Sequence, residues 1–138
     1  MKICLLSTLN SYILGNMLKR FMESNIKIDS VLIDSKSPTK KELEIEKFRT
    51  EGKLENIFID EYVKTIPVKH VENHCSDESV NWIKSRNVDL VLNCGTPRIL
   101  KQNILLAPSI GVLNCHPGLL PNFRGSTCVE WAIYFDKK

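Results

Sequence analysis

Short apolar runs alternate with amphipathic segments along this chain, and this alternation limits the folds open to it. The run Lys2–Leu6 is bounded by polar residues, as expected for a strand that is buried on both faces of a sheet. A helix is predicted from an N-cap at Asn10 or Ser11 to about Ser24, because its apolar residues fall on one helical face: Leu14, Met17, Leu18 and Phe21. The chain therefore begins with a strand and then a helix.

The same alternation continues to the end of the sequence. Ser37-Pro38 has the chemistry of a helix start, and Thr39–Lys64 keeps only part of a helical period, so a helix with an irregular part is predicted there. Pro67 favours an edge position for the strand that contains it. Further strands are predicted over Ile26–Ile33, Ile66–Val71, Val88–Leu92 and Ile110–Cys115, and helices over Ser76–Arg86, Pro97–Leu106 and from about Ser126. This order predicts an α/β fold, an open and mostly parallel Rossmann-like sheet with helices on both faces and ligands at the carboxyl ends of its strands.

Composition excludes several classes of protein. The chain has 138 residues, 43% of them apolar and 25% charged, which fits one domain over residues 1–138 with no membrane span. Nineteen basic and sixteen acidic residues give a net charge of +3, too little for a dedicated nucleic-acid binder. The cysteines are odd in number, and three of them lie in or beside apolar runs that are interpreted as buried strands: Cys4, Cys94 and Cys115. We expect reduced core thiols and a cytoplasmic protein.

Two common ligand motifs are missing, and a third pattern is weak. No glycine lies in the turn after the first strand, which disfavours a dinucleotide site, and no Gly-Lys-Ser/Thr triplet of a P-loop occurs. His70, His74 and Cys75 are close in sequence, but no second pair of ligands completes a zinc site. We therefore predict a solvated loop at this point and no metal.

The segment from Val112 to Gly125 holds the candidate catalytic residues. A buried strand delivers Asn114 and, two residues later, His116 on the same side, because side chains alternate along a strand. Prolines and glycines then fix a rigid loop. An ordinary strand end with a surface histidine explains this spacing equally well.

The residues of this segment add a resemblance. Asn-x-His-Pro-x-Leu-Leu-Pro-x-Phe-Arg-Gly, with Trp131-Ala132-Ile133 after it, resembles the signature of the N-terminal domain of 10-formyltetrahydrofolate-dependent formyltransferases. That family includes methionyl-tRNA, phosphoribosylglycinamide and nucleotide-sugar formyltransferases and formyltetrahydrofolate hydrolase. The segment Arg98-Ile99-Leu100 is similar to the Arg-Ile-Leu sequence of the glycinamide enzymes. In those enzymes the backbone of that sequence holds the pterin.

The resemblance implies a role for each matching residue. Asn114 would donate to the developing oxyanion, and a charged His116 would add electrostatic stabilisation and a proton, held by a carboxylate. The family's catalytic aspartate lies on a later loop; Asp136 stands at the expected end of a helix and does not match it. Gly118 stands where many family members have a serine, and we expect this difference to have little effect. Ser11 is a candidate for binding an anionic group of the acceptor.

The expected activity is formyl transfer from 10-formyltetrahydrofolate to an amine. A nucleotide-linked amino sugar is the favoured acceptor, because a charge of +3 is small for a tRNA partner. Two other acceptors stay open, methionyl-tRNA and glycinamide ribonucleotide. So do two other functions: hydrolysis of the folate, and a non-catalytic fragment that binds folate. The missing aspartate predicts that the chain lacks the last strands of the formyltransferase fold and any C-terminal domain, and that it is inactive alone.

Overall fold

The fold is described from a computed structural model, which places residues 1–9, 11–37, 39–49, 51, 59, 62, 64–125 and 127–135. Five strands form one sheet: β1 (Ile3–Thr8), β2 (Ser30–Asp34), β3 (Val68–Val71), β4 (Leu90–Asn93) and β5 (Gly111–Asn114). The helices are α1 (Tyr12–Glu23), α2 (Lys40–Arg49), α3 (Asp77–Ser85), α4 (Gln102–Leu105) and α5 (Cys128–Tyr134). None of these helices has the length and apolar character needed to cross a membrane.

The strand order β3-β2-β1-β4-β5 confirms the predicted α/β class. All four neighbouring pairs are parallel. The first three strands run outward in one direction, and the chain then returns to the other side of β1 to add β4 and β5. The topological switch point therefore lies between the carboxyl ends of β1 and β4, which is where open α/β sheets bind ligands. Strand β3, which follows Pro67, is an edge strand as predicted.

Alternation along β1 divides the core between the two faces of the sheet. Ile3 and Leu5 pack with Leu14 and Leu18 of α1. Cys4 and Leu6 face the other way and pack with residues from α3, β4 and α4: Ile83, Val91 and Ile104. Helices cover both faces, as the sequence predicts.

The helix starts follow their capping residues. Ser11 and Ser76 are the N-caps of α1 and α3, and each accepts a hydrogen bond from the backbone N–H three residues later. Helix α2 starts later than Ser37 and Pro38 predict, because Thr39 and Glu42 form a reciprocal capping box. Four predicted positions, Asn10, Pro38, Ser126 and Asp136, lie outside the described residues, as does most of the later half of Thr39–Lys64.

The predicted helix over Pro97–Leu106 is wrong in its first half, since α4 covers only Gln102–Leu105. The preceding residues form an irregular loop whose side chains bond to neighbouring loops rather than to a helix of their own.

The prediction of three buried strand cysteines is correct for two. Burial raises the pKa of the Cys4 thiol to about 11 and that of Cys94 to about 12. Cys115 is exposed, because β5 ends one residue earlier and is an edge strand.

Candidate functional site

Two asparagines end the neighbouring strands β4 and β5. Asn93 and Asn114 are paired in the parallel register, and Nδ2 of Asn93 donates to Oδ1 of Asn114 at 2.9 Å. Oδ1 of Asn93 accepts the backbone N–H of Gly95 at 3.1 Å and of Thr96 at 2.9 Å. Gly95 has a φ of +99°, which glycine adopts without steric cost and which lets the chain turn away from the sheet here. Asn93 thus ties this turn to Asn114.

The loop after this turn contains the predicted folate-binding segment, and its three residues differ in environment. The side chain of Ile99 is 93% exposed, whereas Leu100 packs against the core. Among the described residues, no hydrogen bond is found for the backbone groups of Arg98 or Leu100.

The Arg98 side chain points back into the protein, where it binds the fully buried carboxylate of Asp34 at the end of β2. Its Nε donates to Oδ2 at 2.5 Å and its Nη2 to Oδ1 at 3.2 Å, and Nη2 also donates to the carbonyl of Glu72 at 2.6 Å. Asp34 also accepts the backbone N–H groups of Lys36 and His74. Burial opposes ionisation, but the hydrogen bonds from Arg98 and from these backbone groups outweigh it and lower the pKa of Asp34.

The prediction of a solvated loop at His70 and His74 is wrong for His74, which is fully buried. The Leu32 carbonyl lies 3.1 Å from Nε2, and because a carbonyl only accepts, Nε2 carries the proton. Nδ1 then accepts the hydroxyl of Thr96 at 2.7 Å. Burial lowers the pKa of His74 below its ordinary value, so the neutral ring is favoured. His74 links the loops after β3 and β4.

The second predicted catalytic residue, His116, lies beyond the end of β5. Strand alternation therefore does not set its direction; instead, its Nε2 donates to the carbonyl of Phe123 at 2.7 Å and closes the loop between them. Gly118 lies inside this closed loop. A Cβ at Gly118 would lie 2.5 Å from the Phe123 carbonyl oxygen and 2.7 Å from Cβ of Cys128. The expectation that serine and glycine are nearly equivalent there is therefore wrong.

Ser11 lies at the topological switch point. Its Oγ caps α1, with the Leu14 N–H at 3.4 Å, and lies 3.5 Å from the carbonyl of Cys94. A Cβ built on Gly95 would lie 3.8 Å from the same Oγ. The first loop and the β4 loop therefore meet here.

Sequence reasoning missed Asn93, Asp34 and the burial of His74. A signal for Asn93 was present, because Val-Leu-Asn-Cys occurs twice, at 91–94 and at 112–115. The two copies end adjacent parallel strands and place their asparagines in register. Asp34 gives a weaker signal, as a single acidic residue after an apolar run.

An apolar cavity at the other end of the sheet is a poorer candidate site. Its volume is about 460 Å³ and its lining includes Leu18, Met22, Ile28 and Ile66. These residues lie at the amino ends of the strands, away from the polar groups just described. Within the described ranges, no group of three or more His, Cys, Asp or Glu side chains could hold a metal ion.

Comparison with known proteins assigns the chain to a family. A family model described as formyl transferase matches residues 1–135. The chain therefore belongs to the formyl transferase family.

The individual relatives differ in what they act on. The methionyl-tRNA formyltransferase of Sorangium cellulosum is 34% identical over 68 residues, which are 49% of this chain and 22% of that protein. A phosphoribosylglycinamide formyltransferase structure from Anaplasma phagocytophilum has a TM-score of 0.66 at 23% identity, covering 98% of this chain and 58% of its own. A formyltetrahydrofolate deformylase structure from Pseudomonas syringae has a TM-score of 0.60 at 17% identity, covering 97% of this chain and 41% of its own. The chain thus spans less than two thirds of each relative, and the two structural matches show the fold alone.

Proposed function

We propose that this protein transfers a formyl group from 10-formyltetrahydrofolate to an amine at the carboxyl ends of β4 and β5. The observation that carries the proposal is the exposed amide of Asn114 beside a loop whose backbone has hydrogen-bonding groups to spare. Membership of the formyl transferase family supports the reaction class.

In the proposed reaction, the amine nitrogen attacks the formyl carbon, and the carbonyl electron pair moves onto the formyl oxygen. Collapse of this intermediate breaks the bond to N10 of the folate, and N10 takes up the proton that the amine loses. Asn114 donates from Nδ2 to the oxyanion. A fixed donor of this kind lowers the activation free energy by about 2.7 to 4 kcal/mol.

The residues of the β4 loop fit the folate on chemical grounds. The pterin ring presents donors and acceptors along one edge, which suit the free backbone groups of Arg98 and Leu100, while Ile99 offers an exposed apolar surface. Because the Arg98 side chain is bound to Asp34, its part in folate binding is to hold this backbone in place. Ser11, across the switch point, is the proposed contact for an anionic group of the acceptor.

His116 is the proposed proton carrier, with Nδ1 as the exchanging atom because Nε2 is bound to Phe123. The charged ring also needs a nearby carboxylate to stabilise it, and no carboxylate among the described residues bonds to His116. Asp136 lies outside the described residues. The carboxylate of this proposal is therefore not supplied by a hydrogen bond among the described residues.

For the acceptor we propose a nucleotide-linked amino sugar, since a net charge of +3 gives little attraction for a tRNA. The relatives include proteins named for tRNA, for glycinamide and for deformylation, so these remain the competing acceptors. A cytoplasmic location belongs to the same proposal, supported by five free cysteines.

Calorimetry with a stable 5,8-dideaza analogue of 10-formylfolate tests the proposal. We expect saturable binding to the wild-type protein, and absence of binding at millimolar ligand would refute the proposal. With 10-formyltetrahydrofolate itself, formate release without any amine indicates hydrolysis. Release of tetrahydrofolate that depends on an added amino sugar nucleotide indicates transfer. Failure of turnover by the 138-residue chain supports the expectation that it lacks the catalytic carboxylate, and robust turnover contradicts that expectation.

A further inference from the structure

The hydrogen bonds around Asn93 fix which way its amide faces. Its Oδ1 receives two backbone N–H groups, from Gly95 and Thr96, and a backbone N–H can only donate. The oxygen must therefore be on that side, which places Nδ2 toward β5.

The amide of Asn114 is oriented in turn. Nδ2 of Asn93 can only donate, so the atom of Asn114 that lies 2.9 Å from it must be the oxygen. The NH₂ group of Asn114 then faces away from β4, and it has no hydrogen-bond partner among the described residues. Two rigid backbone N–H groups thus determine, through one intervening side chain, that Asn114 presents a donor.

We propose that Asn93 is a positioning residue that holds the Asn114 amide with its NH₂ group toward the formyl oxygen. This inference rests on the proposed function. A free asparagine amide rotates and can present its carbonyl, which would repel the formyl oxygen as charge develops on it. Preorganisation by Asn93 removes that alternative before the reaction begins.

Asn93→Asp is the sharpest perturbation. The aspartate still accepts the two backbone N–H groups, but its other oxygen faces Asn114 as an acceptor. Asn114 then gains a hydrogen bond by rotating its NH₂ group toward position 93, which turns its carbonyl toward the ligand.

The chain contains a matched control in Asn103. Its Oδ1 accepts the backbone N–H of Ile104 at 2.9 Å, and its Nδ2 donates to the carbonyl of Cys75 at 2.8 Å. Asn103→Asp therefore makes the same loss of a donor and the same gain of charge at a side chain that bonds to neither Asn93 nor Asn114. Asn93→Ser is a second test variant without added charge, because its hydroxyl can accept the turn N–H but is too short to reach β5.

The measurement is the affinity ratio between the 10-formyl-5,8-dideazafolate and the same molecule without its formyl group, determined by calorimetry. We expect the wild type and Asn103→Asp to prefer the formylated ligand. Asn93→Asp and Asn93→Ser should reduce that preference by about tenfold while leaving affinity for the unformylated ligand within about twofold, and Asn114→Ala should reduce it to the same extent. In the Asn114→Ala background, Asn93→Asp should have no further effect, because the side chain that it positions is gone.

Each outcome has a distinct meaning. If the wild type binds neither ligand, the proposed function fails, and this inference fails with it. If the wild type prefers the formylated ligand and both Asn93 variants keep that preference, only the positioning role is overturned. An equal effect of Asn93→Asp in the presence and absence of Asn114 would also overturn it.

Discussion

Replacing the buried Asp34 with asparagine should destabilise the protein by about 3 to 4 kcal/mol. In the wild type, Oδ1 accepts from Lys36 and Arg98, and Oδ2 accepts from His74 and Arg98. Asparagine keeps one acceptor oxygen, and its NH₂ group faces the two donors of the other. Two hydrogen bonds to a charged acceptor, at roughly 1.5 to 3 kcal/mol each, are lost. Partial hydration of Arg98, whose side chain is 31% exposed, keeps the cost near the lower end of that sum.

Urea unfolding followed by circular dichroism measures this cost. With a dependence on urea of roughly 2 kcal/mol per molar, the midpoint should fall by about 1.5 to 2 M. Asp29→Asn is the matched control, because Asp29 also accepts from an arginine, Arg86, at 2.8 Å, but its side chain is 16% exposed. We expect about 1 kcal/mol there. A cost for Asp34→Asn below about 1 kcal/mol, or one equal to that of Asp29→Asn, would refute the argument that this buried carboxylate joins the loops after β2, β3 and β4, through Lys36, His74 and Arg98.

Three further predictions concern the same edge of the sheet. Gly118→Ser should destabilise the protein by about 1 to 3 kcal/mol and displace the Phe123 carbonyl that holds His116; unchanged thermal stability would contradict the steric argument. Burial lowers the pKa of His74, so as the pH falls the unfolded chain takes up a proton there before the folded protein does, and the free energy of unfolding should decrease below about pH 6.5. His74→Gln should flatten this pH dependence of the free energy of unfolding between about pH 7.5 and 5.5. An unaltered slope would contradict the prediction. Ser11→Ala should cost about 1 kcal/mol through loss of the α1 cap and should raise the Kd for the acceptor more than the Kd for the folate analogue; an equal change in both would argue against acceptor contact.

The elements of the fold could largely be predicted from the sequence, because most of them depend on local patterns. Strand β1 is an apolar run, and α1 combines a serine cap with one apolar face. The edge position of β3 follows from Pro67, whose missing N–H is tolerated at a sheet edge. These signals need no knowledge of distant contacts.

The errors occur where distant contacts override local patterns. The segment Pro97–Lys101 has helical composition, but Arg98 gains more from the buried Asp34, 64 residues away in sequence, than from a helical turn. His74 is polar and lies in a loop, yet it is fully buried because Leu32 and Thr96 satisfy both ring nitrogens. No local pattern contains these partners.

The candidate site was predictable as a motif and not as a geometry. The residues around Asn114 and His116 indicate formyl transfer by resemblance. The hydrogen bond from Asn93, which determines how Asn114 faces, becomes visible only when the two Val-Leu-Asn-Cys segments are seen as adjacent strands in register.

The central claim is that a formylated folate binds at the carboxyl ends of β4 and β5. Titration of the ¹⁵N-labelled protein with the 10-formyl-5,8-dideazafolate, followed by amide chemical shifts, tests it most directly. The account predicts saturable shifts at residues 94–100 and 114–116, including the side-chain NH₂ of Asn114. Shifts confined to the apolar cavity near Leu18 and Met22, or none at millimolar ligand, would contradict it.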